Sequence, residues 1–229
     1  MNSFALRHCT NFNIEHTIDF NRGATSNVLA GKITPTSKTV TLNNQKYKVF
    51  NCEQYKNKNN EIIVDGTPHS EYKEVTRFEA YYCNDKNLLI LNTAIGDAKI
   101  FLKYLEINQD QNINCQKIDF HFNTVTKQPG VLMDQIWFNT SDKHAKTKSF
   151  NGVEVNKNSE AQKAINDQKA TYIKVQMDVT SNKKTVARTV GFSKKSGIVL
   201  VQKNDANIDS SEKELQLLLD VYETYKKFK

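Results

Sequence analysis

Between Phe12 and Phe20 the chain reads FNIEHTIDF, which sets Phe12, Ile14, Ile18 and Phe20 against Asn13, Glu15, Thr17 and Asp19 in a two-residue repeat. Strict alternation is the pattern of a strand with one face on a core and one in water. A strand is therefore predicted here, with His16 on its apolar face as a core residue carrying one hydrogen bond. Short strands follow at NVLAGKIT, KTVTLN, KYKVFN and EIIVD, separated by turns rich in Asn, Gly and Lys. RFEAYYC and LLILNT then flank the four residues NDKN, as the arms of a hairpin do. Immediately after, GDAKIFLKYLEI repeats its apolar residues at helical spacing, at Ala98, Phe101, Leu102, Tyr104 and Leu105, behind Asp97 as the expected cap.

The polar stretch NQDQNIN, Asn108 to Asn114, interrupts the patterning and divides a β-rich half, 1–110, from a second half, 111–229. Strands are predicted beyond it at QKIDFHFNT, LMDQIWFNT and FNGVEV, then a short helix from Asn158 or Ser159 to about Lys169, then strands through TYIKVQMDV and TVARTVGFSKKSGIVLV. The chain closes on a helix with a capping box, Ser211 and Glu214, and an apolar stripe of Leu215, Leu218, Val221, Tyr222, Tyr225 and Phe228 that needs a sheet to pack on. Strand, turn, strand, helix thus recurs at Arg77 to Ile107 and at Thr185 to Phe228, with little identity between the two. Short turns between strands that run in sequence argue for an α+β fold of antiparallel sheets with about three helices, the C-terminal one lying on a sheet.

Composition narrows the class without naming a chemistry. A chain of 229 residues buries enough core to fold without metal or disulfide staples. Cys9, Cys52, Cys83 and Cys115 lie 43, 31 and 32 residues apart with no C-x-x-C pair, so buried free thiols are expected and no metal or cofactor is. No apolar run reaches the eighteen residues of a membrane span, and the opening MNSFALRHCTNF lacks the apolar core of a signal peptide, which together point to a cytoplasmic protein.

Charge changes the picture more. The net +7 is uneven: 15 basic and 14 acidic residues precede Ser141, and 17 basic and 11 acidic follow from it. From Val179 to Asn204 there is no acid, while Lys183, Lys184, Arg188, Lys194, Lys195 and Lys203 supply six cations. Lys143, Lys146 and Lys148 form a second cluster beside His144 and Phe150, and Arg22 to Lys58 a third, in which seven cations face only Glu53. Phosphate neutralisation requires positive charge at suitable spacing, so these lysines suit backbone contact, whereas reading of bases favours the arginine fork, of which this stretch has one. GFSKKSG is not a P-loop, because Lys195 and Ser196 precede Gly197 and a strand follows.

The remaining patterns are weaker. Asp65, Glu71 and Lys73 have the residue types of a metal-dependent nuclease, but too little chain separates the two acids for a strand to return. Asp119 and His121 in KIDFHF would share the polar face of a strand. DANIDSSE starts like a calcium loop but has Ser210 where glycine is required, and reads as the start of the last helix. The expected function is non-sequence-specific binding of DNA or RNA. Docking onto an acidic protein surface as the subunit of a larger complex, in a phage or mobile-element setting, is the alternative, and a metal-dependent nuclease comes third.

Overall fold

The computed structural model describes residues 2–109, 112–181, 184–201 and 211–228. It divides into two compact units, Arg7–Gln116 and Met1–Leu6 together with Lys117–Lys229. All four cysteines fall in the first.

In the first unit the chain runs β1 (Asn2–Phe12, here from Arg7 onward), β2 (Ile18–Asn21), β3 (Leu29–Leu42), β4 (Gln45–Lys58), β5 (Ile62–Val64), β6 (Thr67–His69), β7 (Tyr72–Cys83), β8 (Leu88–Leu91), α1 (Ile95–Asn108) and β9 (Ile113–Lys117). Its sheet has the order β2-β3-β4-β7-β8-β1, with β9 added to β1. β5 and β6 form a separate hairpin. Residue chemistry sets the tight turns. Leu42 pairs with Gln45 across Asn43 and Asn44, at φ 49° and 59°, and Val64 pairs with Thr67 across Asp65 and Gly66, at φ 48° and 79°. Two-residue hairpin loops of type I′ need positive φ at both positions, which Asn, Asp and Gly tolerate best.

α1 lays Ala98, Phe101, Leu102 and Leu105 on the sheet, where Phe101 meets Phe20 and Phe78 edge-on at 5.0 Å each. Each such ring buried stabilises the fold by about 1.5–3 kcal/mol. Asp97 is not the cap of this helix. Ala94 occupies that position, and Asp97 in the first turn pairs with Lys56 of β4 at 2.9 Å.

The predicted strand at FNIEHTIDF is instead a corner. β1 ends at Phe12 and β2 begins at Ile18; Phe12, Ile14, Ile18 and Phe20 are all buried, but His16 is exposed. Alternation recorded which side chains point inward and not that the backbone stays straight.

The free-thiol expectation fails for half of the cysteines: Cys9 of β1 and Cys115 of β9 form a disulfide that closes 106 residues, while Cys52 and Cys83 are free and buried. Burial raises the Cys52 thiol pKa and keeps it protonated. Near the bridge Arg7 is almost fully buried, which lowers its pKa, and burial raises that of Glu106, whose carboxylate accepts a hydrogen bond from the Cys115 backbone.

The second unit contains α2 (Phe122–Thr126), β10 (Leu132–Asn139), β11 (Thr147–Asn151), α3 (Ser159–Asn166), β12 (Ala170–Ser181), β13 (Lys184–Ser193), β14 (Gly197–Leu200) and α4 (Ser211–Lys226). Its sheet runs β11-β10-β12-β13-β14, with Asn2 to Ala5 of β1 paired antiparallel to β14. The fold is α+β with antiparallel sheet and four helices, and α4 packs on the sheet through Leu215, Leu218, Val221 and Tyr225. Asn158 caps α3, its side chain accepting from the Glu160 and Ala161 amides at 3.0 Å each. The DANIDSSE segment lies outside the described residues up to Ser210.

KIDFHF does not form a strand. The chain leaves the sheet after Lys117 because Phe120 turns inward against Phe192 and Tyr225, with ring centroids 5.3 and 4.9 Å away. The Tyr225 hydroxyl holds this corner, donating to Asp119 O and accepting from the His121 N–H, both at 3.0 Å.

Both units close in the same way. β7 and β8 pair over Ala80–Cys83, β13 and β14 over Val190–Ser193, and a helix follows each hairpin. The residue before the second strand is left-handed in each case, Asn87 at φ 48° and Ser196 at φ 66°. Their carbonyls accept equivalent bonds from β1, from Cys9 N and Leu6 N respectively. The repeated strand, turn, strand, helix order is therefore a repeated hydrogen-bonding unit, carried by main-chain geometry rather than by shared residues.

Candidate functional site

The acid-free stretch from Val179 does not make one patch. Lys184 opens β13 and Lys194 follows its last residue, which at 3.3 Å per residue separates them by roughly 33 Å. Lys183 and Lys203 lie outside the described residues.

At the end of β12 and β13 where Ser181 pairs with Lys184, Lys184, Arg188 and, from α4, Lys213 surround a groove of about 480 Å³ floored by Val179, Val186 and Leu217. Strand pairing explains the grouping: Val179 lies opposite Val186 and Ser181 opposite Lys184, on the sheet face that α4 covers. No acidic side chain is among the described residues that line the groove. Lys213 could not be picked out in the sequence because it sits on α4 and joins Lys184 and Arg188 only through packing. Its signal was weak: it is the one lysine in the first turns of a helix otherwise acidic there, at Glu212 and Glu214.

The other end of the sheet gathers a second group. Lys194 N–H donates to Thr171 O, Asn139 N–H to Lys169 O, and Thr140 N–H to Lys146 O, so the loop carrying Lys143 and Lys146 meets the Lys194–Lys195 turn at the start of β12. Two members are already engaged: Lys148 pairs with Glu160 of α3 at 2.9 Å, and the Lys194 ammonium donates to Gln168 O. Phe150 packs against Phe138, ring centroids 5.5 Å apart, and is half-buried.

GFSKKSG resolves into a turn whose key residue is Ser196, not either glycine. Ser196 is fully buried; its Oγ donates to Leu6 O and accepts from the Ile118 N–H at 2.8 Å. Gly197 begins β14, and Gly191 lies within β13, where a Cβ would collide with the Tyr172 hydroxyl. Gly191 thus makes room for a neighbouring side chain rather than for a turn.

Three of the seven cations of the third basic segment pair with acids from other elements. Lys56 pairs with Asp97, Lys58 with Glu74 at 3.1 Å and Lys38 with Glu79 at 4.0 Å. Glu53 accepts from Tyr55 at 2.7 Å and from Arg77 Nε at 3.2 Å, and these bonds lower its pKa, while burial followed by the bond to Glu53 pushes Tyr55 up to about 12. A carboxylate with a lowered folded pKa stabilises the fold above its unfolded value, near 4.3, and loses that contribution as pH falls through the folded value. Glu53→Gln is therefore expected to flatten the acid side of the pH–stability curve below the unfolded value of the carboxyl, read as denaturation midpoints across pH. An unchanged acid limb would refute the assignment.

The nuclease constellations do not assemble. Asp65 sits at the tip of the β5–β6 hairpin, and Glu71 lies beyond its base pair Ile62–His69, about 16 Å away along the strands. Asp119 and His121 occupy the corner pinned by Tyr225. Among the described residues no three His, Cys, Asp or Glu side chains are grouped to hold a metal ion, and no helix is long and apolar enough to cross a membrane. The same hairpin tip presents Ile63 and Val64 at 70% and 48% exposure. No protein-family model matches this chain, and no curated protein matches it in sequence.

Proposed function

We propose that the chain binds nucleic acid without sequence preference, holding the phosphate backbone at the groove of the second unit. The observation that carries this reading is the convergence of Lys184, Arg188 and Lys213 on a groove with no acid among the described residues of its lining. Cations from two elements at one groove can neutralise successive phosphates and release their counterions, which supplies most of the free energy of non-specific binding. One arginine among them is consistent with backbone contact rather than base reading. The second unit also carries the charge excess, with 19 basic and 13 acidic residues against 13 and 12 in the first.

The disulfide bears on where this happens. Such bonds form and persist in oxidising surroundings and are rare in a reducing cytosol. The binder accordingly meets its polyanion outside the reducing cytosol, in place of the cytoplasmic setting expected from sequence.

The triple variant K184Q/R188Q/K213Q is expected to bind a fluorescein-labelled oligonucleotide roughly thirtyfold more weakly, as read by anisotropy, with its melting temperature within about 2 °C of wild type. Poly-glutamate in the same assay separates the readings. If it competes as well as the oligonucleotide, the groove recognises acidic protein; if the variant binds nucleic acid like wild type, the groove is not the site.

A further inference from the structure

Trp137 is the only tryptophan in the chain and is 48% exposed, in the middle of β10 on the sheet face opposite the helices. An indole in that position gives up the free energy its burial would supply. It is also held there. Tyr172 lies directly across on β12, its ring 6.2 Å from the indole at 71°, and Thr171 Oγ1 donates to Trp137 O at 3.2 Å. Tyr172 in turn leans over β13 at Gly191, where a Cβ would collide with its hydroxyl and stand 2.7 Å from Cε2 and Cζ. The glycine thus gives the hydroxyl end of Tyr172 room over β13, on the side of β12 away from Trp137.

The surroundings are polar and mostly basic. Gln135 and Asn139 flank Trp137 on its own strand, and Lys174, two residues from Tyr172, shares the face. At the near end of the sheet stand Lys143, Lys146 and Lys195 with Asp142 and the Asp167–Lys169 pair, while Asp178 shares the face six residues along β12 from Tyr172 and Asp134 lies on β10 itself. An exposed ring braced by a second ring and bordered by cations is what binds an unpaired strand: bases stack on the aromatic face, and lysines follow the phosphates. A duplex cannot use it, because its base faces are already stacked. A neutral sugar could stack on the indole but would have no use for the lysines.

We propose that this face is a stacking site for single-stranded nucleic acid, with Trp137 as the stacking ring and Tyr172 as the residue that positions it. The inference rests on the nucleic-acid reading and adds strandedness to it, at the opposite end of β12 from the groove.

Because Trp137 is alone, intrinsic fluorescence reports the site directly. Titration of the intact protein with a dT oligomer is expected to quench the emission. The matching duplex should bind without that quench, and Trp137→Leu, with an unchanged melting temperature, should weaken dT binding about tenfold or more by anisotropy. Gly191→Ala, which displaces Tyr172, should reduce the quench while leaving duplex binding intact. Oligonucleotide binding with no change in Trp emission and no effect of Trp137→Leu would overturn the stacking site and leave phosphate binding standing. No binding of either form would overturn both, and quenching by a neutral oligosaccharide but not by dT would reassign the platform to sugar rings.

Discussion

Replacing Cys9 and Cys115 together by alanine is expected to cost the first unit about 2–5 kcal/mol, because the bridge closes 106 residues and its loss returns that loop entropy to the unfolded chain. For a unit of this size the loss corresponds to a fall of roughly 10–20 °C in melting temperature. Reductant should reproduce the shift in wild type and have no effect on the double variant. The second unit contains no cysteine. If the two units melt separately, only one transition should move. A wild-type melt that ignores reductant would mean that the bond does not hold the fold.

Gly31→Ala is expected to cost about 2–3 kcal/mol, by overpacking rather than by any change in backbone freedom. Its Cβ would stand 2.5 Å from Phe20 Cζ and 2.7 Å from the Glu53 carbonyl oxygen. Phe20 is 1% exposed and already packs edge-on against Phe101, so the ring has nowhere to go, and the carbonyl belongs to β4, paired with β3 at this position. Gly96, in the first turn of α1, has nothing within 4 Å of the position a Cβ would take, so Gly96→Ala is the matched control and should be neutral or slightly stabilising. Equal chemical-denaturation midpoints for the two variants would contradict the packing at Gly31.

What was legible in sequence follows from how one-sided each element is. β12 and the two long helices each bury one face, and their periodicity announces them, whereas the hairpin across NDKN, buried on both faces, is announced by its polar four-residue loop between two apolar runs. β1 was hidden because Phe4, Ala5, Leu6 and Arg7 are all buried, and a strand covered on both faces has no alternation to read. KIDFHF showed alternation for a different reason: Phe120 and Phe122 are buried by a corner and a short helix, where side chains point inward without a strand. The disulfide was illegible because a spacing of 106 residues says nothing about which strands lie side by side.

The site was legible as charge but not as place. Absence of acid along 26 residues is a one-dimensional property, and the length of β13 alone sets Lys184 and Lys194 about 33 Å apart. Lysines that looked unopposed along the chain acquired Asp97, Glu74, Glu79 and Glu160 from other elements. Lys213 joined the groove by the same route. Trp137 is unremarkable in the sequence as one residue of a predicted strand, and only its exposure beside Tyr172 and Gly191 distinguishes it.

The central claim is that phosphate contacts at the groove hold the nucleic acid, and salt dependence tests it most directly. Binding constants for a duplex oligonucleotide, measured from about 50 to 200 mM salt, should fall on a straight log–log line, with a slope of about −0.9 for each phosphate neutralised. The slope should shrink by about one for each of Lys184, Arg188 and Lys213 replaced by glutamine. A wild-type slope near zero, or a triple variant with the wild-type slope, would contradict the account.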